Sequence, residues 1–341
     1  MPSVTSREWR FKSRPKGEPK PSDFELATVE SPEPADGQVQ VRNLWMSVDP
    51  YMRGRMNEAK SYAPGFELGQ AMTGGAVGEV LASRDPGYKP GDLVSSMAGW
   101  REAFTAAPAA FGMTKLPPAN LPPQAFLGVA GMPGLTAYAG LLRIGEPKPG
   151  ETVFVSGAAG AVGSLVCQIA KIKGCHVVGS AGGKDKVQWL KSIGVDEVID
   201  YKALEPGPQP LIKALRAAAP KGVDVYFDNV GGDHLTAAID CSNPHARMPI
   251  CGMISMYNAT TPPPGPYNMA LIIGRQLKIQ GFLVSSYFDM RQAFLTDMSA
   301  WMAAGKIKYE ETVLKGIEKA PEAFLSLFSG GNMGKMLVKL S

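Results

Sequence analysis

From about residue 128 to residue 300, short apolar runs alternate with longer segments whose apolar residues recur at helical spacing. The runs at 153–155, 175–180, 197–200, 223–228 and 247–251 read as strands. The segments at 164–173, 184–193, 211–219 and 233–240 read as helices, the first of them carrying Leu165, Val166, Ile169, Ala170 and Ile172. Strands that alternate with helices predict an α/β unit, a doubly wound parallel sheet covered on both faces. The flanks are patterned differently. Val39-Gln40-Val41-Arg42 alternates with period two, 74–81 and 92–96 also look strand-like, and turns such as Lys89-Pro90-Gly91-Asp92 interrupt them. This predicts a mostly β domain over 1–127, a partly open barrel. A helix at 290–304 precedes strand-like runs at 308–312 and 335–340. The segment 301–341 is therefore expected to return to the first domain, making 128–300 an insertion with a cleft between the two.

The run at 153–155 enters Ser156-Gly157-Ala158-Ala159-Gly160-Ala161-Val162-Gly163-Ser164. Strand, tight turn of small residues, then helix is the opening of a dinucleotide-binding unit, with Ala158 where the first glycine of G-x-G-x-x-G usually stands. Amides at a helix N-terminus carry partial positive charge, so Gly160, Ala161, Val162, Gly163 and Ser164 are expected to receive a pyrophosphate. NAD-preferring folds end the second strand on a carboxylate that binds the ribose hydroxyls. Here that place reads Ser180-Ala181-Gly182-Gly183, and Lys186 follows within a turn. Gly182 leaves room for a 2′-phosphate, which points to NADPH/NADP+; Asp185 is compatible with it on a face turned away.

Composition narrows the picture modestly. Net charge is +4, from 35 basic and 31 acidic residues without a basic run, too mild and too evenly spread to suggest nucleic acid, so no nucleic-acid partner is expected. No apolar stretch reaches membrane-spanning length, and the first twenty residues are polar and proline-rich, so no membrane partner and a cytoplasmic location are expected. Cys167, Cys175, Cys241 and Cys251 form no C-x-x-C pair and read as free thiols. His234 and His245 have no identifiable partner and read as ordinary surface or satisfied residues. The segment Thr260-Thr261-Pro262-Pro263-Pro264-Gly265-Pro266-Tyr267 reads either as a stiff surface connection or as a lid that brings Tyr267 to a substrate.

Six spaced stretches carry a family resemblance: 44–56 with Pro50-Tyr51-Met52-Arg53-Gly54-Arg55-Met56, 131–138, 156–164, Asp228-Asn229-Val230-Gly231-Gly232, 251–258 and 331–335. The chain resembles the medium-chain dehydrogenase/reductase superfamily over nearly its whole length. Within it, the chain is most similar to the zinc-independent, NADPH-dependent double-bond reductases, the prostaglandin and alkenal reductases and above all the bacterial curcumin reductases. The resemblance implies a Rossmann sheet inserted in a GroES-like domain, and a homodimer joined at a sheet edge formed by 277–284. It implies that Lys186 and Tyr201 hold the 2′-phosphate, and that Met132 and Thr136 flank the nicotinamide. It also brings Asn229, Asn332 and the segment with Cys251, Gly252, Ile254, Ser255 and Tyr257 to the cofactor. Phe282, Leu283 and Val284 are implied over the nicotinamide, a role compatible with membership of a core strand. Tyr51 falls on the substrate side, whereas Arg53 and Arg55 read as salt-bridged scaffold. Zinc members carry an early cysteine and a Gly-His-Glu segment; here the first cysteine is Cys167, the first histidine His176, and the matching stretch reads Phe66-Glu67-Leu68-Gly69-Gln70. No metal is expected.

Reduction of an activated double bond requires hydride delivery at short range and a donor aimed at the carbonyl oxygen that becomes an enolate. A phenol is neutral at pH 7 and can donate a hydrogen bond or a proton. Tyr257, just past the fifth strand, is the candidate catalytic residue and a substrate contact. The expected activity is NADPH-dependent enone or enal reduction. A quinone reductase on the same fold and a non-catalytic NADPH sensor are the alternatives.

Overall fold

The structure is a computed structural model and describes residues 3–58, 61–118 and 121–340. In chain order, β1 (Val4–Phe11) and β2 (Phe24–Ser31) form a two-stranded antiparallel sheet. β3 (Val39–Ser47), α1 (Met52–Arg55), β4 (Ala76–Ser83), β5 (Leu93–Ser96), β6 (Ala103–Ala106) and β7 (Thr114–Lys115) follow. The middle of the chain holds α2 (Met132–Ala139), β8 (Thr152–Val155), α3 (Gly163–Ile172), β9 (His176–Ala181), α4 (Lys184–Ser192), β10 (Glu197–Asp200) and α5 (Pro208–Ala218). It continues with β11 (Val223–Phe227), α6 (Gly232–Cys241), β12 (Ser242–Ile250), α7 (Leu271–Arg275), β13 (Lys278–Gly281) and α8 (Arg291–Ala303). β14 (Glu311–Lys315), α9 (Ala320–Ser329) and β15 (Lys335–Lys339) close the chain.

Two compact units result: Met1–Gly128 with Glu311–Asn332 and Met336–Ser341, and Val129–Glu310 with Met333–Lys335. In the first, the path β14-β15-β3-β4-β5-β7, antiparallel from β15 onward and with β6 on β3, is open at both ends among the described residues. Val39 and Val41 point to one face and pack with Val80, Val94 and Phe104, as period two requires. A second core gathers Phe11, Phe24, Met46, Met52, Trp100 and Phe324, with Phe24 stacked on Trp100 at 6.0 Å.

The second unit is built on a six-stranded parallel sheet in the order β10-β9-β8-β11-β12-β13. The order reverses between β8 and β11, and such a switch point opens a crevice at the carboxyl ends of the strands. Phe154, Val178, Tyr226 and Met248 face α5 and α6, packing on Leu211, Leu215, Leu235 and Ile239. Val225 and Phe227 point the other way, against Gly145 and Gly140, where a side chain would collide with them. Among the described residues, no helix is long and apolar enough to cross a membrane.

Several boundaries differ from the sequence reading. β12 begins at Ser242, because Asn243 Nδ2 donates to Asp224 Oδ1 at 2.8 Å and ties the polar entry to β11. Residues 308–310 do not join a ladder: Gln168 on α3 captures Lys308 through both its N–H (2.7 Å) and its carbonyl (2.8 Å). Residues 301–310 therefore stay with the second unit, and β14 starts at Glu311. β13 ends at Gly281, so Phe282, Leu283 and Val284 lie beyond the strand.

Candidate active site

The turn between β8 and α3 is shaped by close approaches. A Cβ at Gly163 would run into the Gly157 carbonyl and the Ala158 backbone, and Gly157 itself holds φ +58°. Ala158 N–H donates to the Ser180 carbonyl at 2.9 Å, which ties the turn to β9. Gly334 N–H donates to the Ala159 carbonyl at 2.8 Å, so the Met333–Lys335 stretch pins the turn from above. No side chain caps α3, and its positive end opens at Val162–Gly163.

Beneath the turn lies a buried polar network. Asp228 Oδ1 accepts from Tyr226 Oη (2.7 Å), Ser156 Oγ (3.1 Å), Val230 N–H (2.9 Å) and Gly231 N–H (2.7 Å). Oδ2 is buried without a partner among the described residues, and burial raises the carboxyl above its ordinary range. Asn229 is held by the same network: its N–H donates to Ser156 Oγ (3.0 Å) and its Nδ2 to the Ser156 carbonyl (2.7 Å).

At the end of β9, Gly182 is covered by the stem of Lys202, whose Cγ, Cδ and Cε would lie 2.9 Å from a Cβ there. Lys186, half-buried on α4, has its ammonium pushed down by burial and by neighbouring Lys202. Asp185 is exposed. The carboxylate of Asp200 turns to backbone, accepting from Gly183 N–H (3.0 Å) and Lys202 N–H (3.1 Å). Tyr201 meets the ring of His234 edge-on, with centroids 5.3 Å apart. Of the two readings of His234, the satisfied residue holds and the surface one does not: it is 5% exposed, and its Nε2 shares a hydrogen bond of 2.9 Å with Ser180 Oγ. No local pattern in the sequence signals this contact, which joins residues 54 positions apart. Lys202 is signalled only by its adjacency to Tyr201.

Past β12, Cys251 and Gly252 N–H groups both donate to the Asp228 carbonyl, and Ser255 Oγ donates to the Val230 carbonyl at 2.6 Å. These bonds fold the segment back, and Tyr257 Oη comes 3.3 Å from where a Gly252 Cβ would be. The phenol therefore sits at the carboxyl ends of β11 and β12. Burial pushes the Cys251 thiol up to about 12, so it stays protonated and is not a nucleophile.

The remaining sequence-predicted residues fall as follows. Thr136 is buried and donates to the Met132 carbonyl within α2 (2.8 Å), while Met132 is 41% exposed. Phe282 packs edge-on to Phe227 and against Gly140, whereas Leu283 is 40% exposed; the three residues 282–284 are not one core strand. Tyr267 is 64% exposed and its hydroxyl accepts from Gln209 Nε2 at the start of α5 (2.7 Å). Asn332 is half-buried, two residues before Gly334.

In the first unit, Tyr51 Oη is buried without a hydrogen bond of ordinary geometry among the described residues, and burial, helped by Asp49, drives the phenol well up. Arg55 and Tyr62 lie beside it. Arg53 and Arg55 hold the scaffold, and Asp23 lies near enough to Arg53 to favour its charge. Arg53 donates to the Gly17 carbonyl (2.9 Å) and to Asn57 Oδ1 (2.7 Å). Arg55 donates to the Pro64 carbonyl (2.8 Å) and lies 4.1 Å over the Phe66 ring.

Two family models match the chain, one described as the N-terminal domain of oxidoreductase (residues 7–114), the other as zinc-binding dehydrogenase (residues 161–303). The NADPH-dependent curcumin reductase of Escherichia coli (strain K12) is 40% identical over 98% of this chain and 97% of its own length. The NADP(+)-dependent 2-alkenal reductase of Nicotiana tabacum is 42% identical over 99% and 98%. The chain belongs to the medium-chain dehydrogenase/reductase superfamily. The crystal structure of CurA from Vibrio vulnificus in complex with NADPH superposes with a TM-score of 0.92 at 42% identity, covering 98% of this chain and 99% of that one.

This medium-chain dehydrogenase/reductase can be tested for fit to a dinucleotide on its own atoms. The uncapped N-terminus of α3, a turn that excludes side chains at Gly163, and two ammonium groups where β9 ends without a carboxylate all suit a 2′-phosphorylated dinucleotide. Among the described residues, no three His, Cys, Asp or Glu side chains gather as a metal ligand set.

Proposed function

We propose that this protein is a cytoplasmic NADPH-dependent reductase of the α,β carbon–carbon double bond of enones and enals, acting on curcumin-like diketones, alkenals or oxo-lipids. One observation carries the reading: the Tyr257 hydroxyl is folded over Gly252 at the carboxyl end of the parallel sheet, in a chain that matches reductases of such compounds from end to end. When bound, NADPH supplies a hydride for the substrate β-carbon. The chain's own residues do the rest. The turn at Gly160–Ser164 receives the pyrophosphate, and Lys186 and Tyr201 the 2′-phosphate. Met132, Thr136, Asn229, Asn332 and the segments at 251–257 and 282–284 surround the remainder. Tyr257 donates to the substrate carbonyl oxygen and stabilises it as it gains charge. Tyr51 and Tyr267 are the further substrate contacts of this reading.

The phenol takes the place of a Lewis acid in this reading, so no metal is required. Four free cysteines agree with a reducing compartment. The assembly is a homodimer. The decisive assay is NADPH oxidation against an alkenal, an aryl enone, curcumin and a quinone. Turnover of the first three supports the reading, and turnover of the quinone alone overturns it.

A further inference from the structure

Tyr201 is 37% exposed and leaves β10 with no strand partner of its own. Its ring is met from within the protein by His234, on the first turns of α6. The two planes stand at 82° with centroids 5.3 Å apart, the edge-to-face arrangement that aromatic pairs favour. His234 is fixed in turn from two sides. Its Nε2 shares a hydrogen bond of 2.9 Å with Ser180 Oγ, a hydroxyl fully buried at the end of β9. Its ring lies nearly parallel to Phe154 of β8, at 13° and 6.4 Å. Burial holds the imidazole down at about 4, so it is neutral at pH 7 and adds no charge beside a phosphate. A neutral ring with one polar atom suits this place. It satisfies the Ser180 hydroxyl, and it offers Tyr201 a flat support at the strand end where the cofactor's adenosine phosphate is expected.

We infer that His234 is a positioning residue that holds the Tyr201 ring for the 2′-phosphate of NADPH, and so sets the preference for NADPH over NADH. The inference rests on the proposed assignment of Lys186 and Tyr201 to that phosphate. It needs no contact between His234 and the cofactor.

The test is binding, not turnover: isothermal titration of the full-length protein with 2′,5′-ADP and with ADP, which differ by the 2′-phosphate. His234→Ala should weaken 2′,5′-ADP by about three- to tenfold, the scale of one edge-to-face ring contact, and ADP by less than about twofold. His234→Phe restores a ring beneath Tyr201 and should return 2′,5′-ADP affinity to within about twofold of the parent. Equal weakening of both nucleotides, no weakening of either, or failure of His234→Phe to restore binding each overturns the inference. Lys186→Ala and Tyr201→Ala run alongside. If both leave 2′,5′-ADP affinity unchanged, the phosphate assignment itself falls, and that result is distinct from a failure at His234 alone.

Discussion

At the residue scale, the proposed chemistry rests on one phenol, Tyr257. A donor that acts on a developing enolate binds the transition state more tightly than the substrate, so its loss falls on kcat more than on KM. Tyr257→Phe keeps the ring over Gly252 and removes only the hydroxyl. Removal of one oxyanion donor typically costs about 10²–10³ in kcat, and water or a ribose hydroxyl could reduce this to roughly tenfold. Steady-state kinetics with an aryl enone, beside a fluorescence titration of NADPH, should show lowered kcat with intact cofactor affinity. Unchanged kcat would reduce Tyr257 to a wall of the site. His234 allows a second prediction at this scale. Its imidazole is depressed from 6.5 to about 4 in the folded protein. The unfolded chain therefore takes up the proton first as pH falls. The stabilisation is complete above the unfolded value and is lost between 6.5 and about 4, amounting to about 3 kcal/mol. Urea midpoints at neutral and at mildly acidic pH should drop further for the parent than for His234→Phe. Equal drops would remove His234 from the titration.

At the element scale, the strand–turn–helix joint of β8 and α3 works because small residues let the chain double back on itself. The Gly163 position faces the Gly157 carbonyl so closely that even a methyl group must displace the turn. Gly163→Ala should lower stability by about 1–3 kcal/mol, the usual cost of overpacking. The shifted amides should also weaken NADPH binding by roughly tenfold or more, since misaimed donors no longer meet the pyrophosphate. Calorimetric melting and a fluorescence titration would measure the two effects. A variant that melts and binds like the parent would show that the joint tolerates the displacement. Gly160→Ala is the milder comparison, because its nearest neighbour is 3.3 Å from the added carbon.

At the scale of the whole molecule, β13 is the last strand of the six-stranded sheet, and its outer edge has no partner strand among the described residues. Unpaired edges invite pairing with another chain, and exposed apolar residues accumulate nearby, with Ile273 at 83% and Met269 at 49% exposure. The proposed homodimer pairs this edge with its symmetry mate, as an isologous contact requires. Light scattering at micromolar concentration should return twice the mass of one 36.2 kDa chain. A monomer mass there would exclude the assembly.

The order of elements and the dinucleotide turn could be read from the sequence, because both depend on neighbours two to four residues apart. Period two at 39–42, helical spacing at 164–173 and the small residues between Ser156 and Ser164 are local quantities, and the structure keeps them. The missing carboxylate at the end of β9 was equally readable, since its place is counted from a strand end. What failed depended on contacts across the chain. Gln168 draws Lys308 away from a strand, Gly334 pins the Ala159 turn, Lys202 covers Gly182, and His234 lies beneath Tyr201. Each pairing joins residues that periodicity treats as unrelated. The strand order β10-β9-β8-β11-β12-β13, with the helices and later segments packed on it, brings them within bonding distance. Hydrogen bonds and ring contacts act over a few ångströms, so they were decided when the sheet was assembled, not by the local pattern that built its strands.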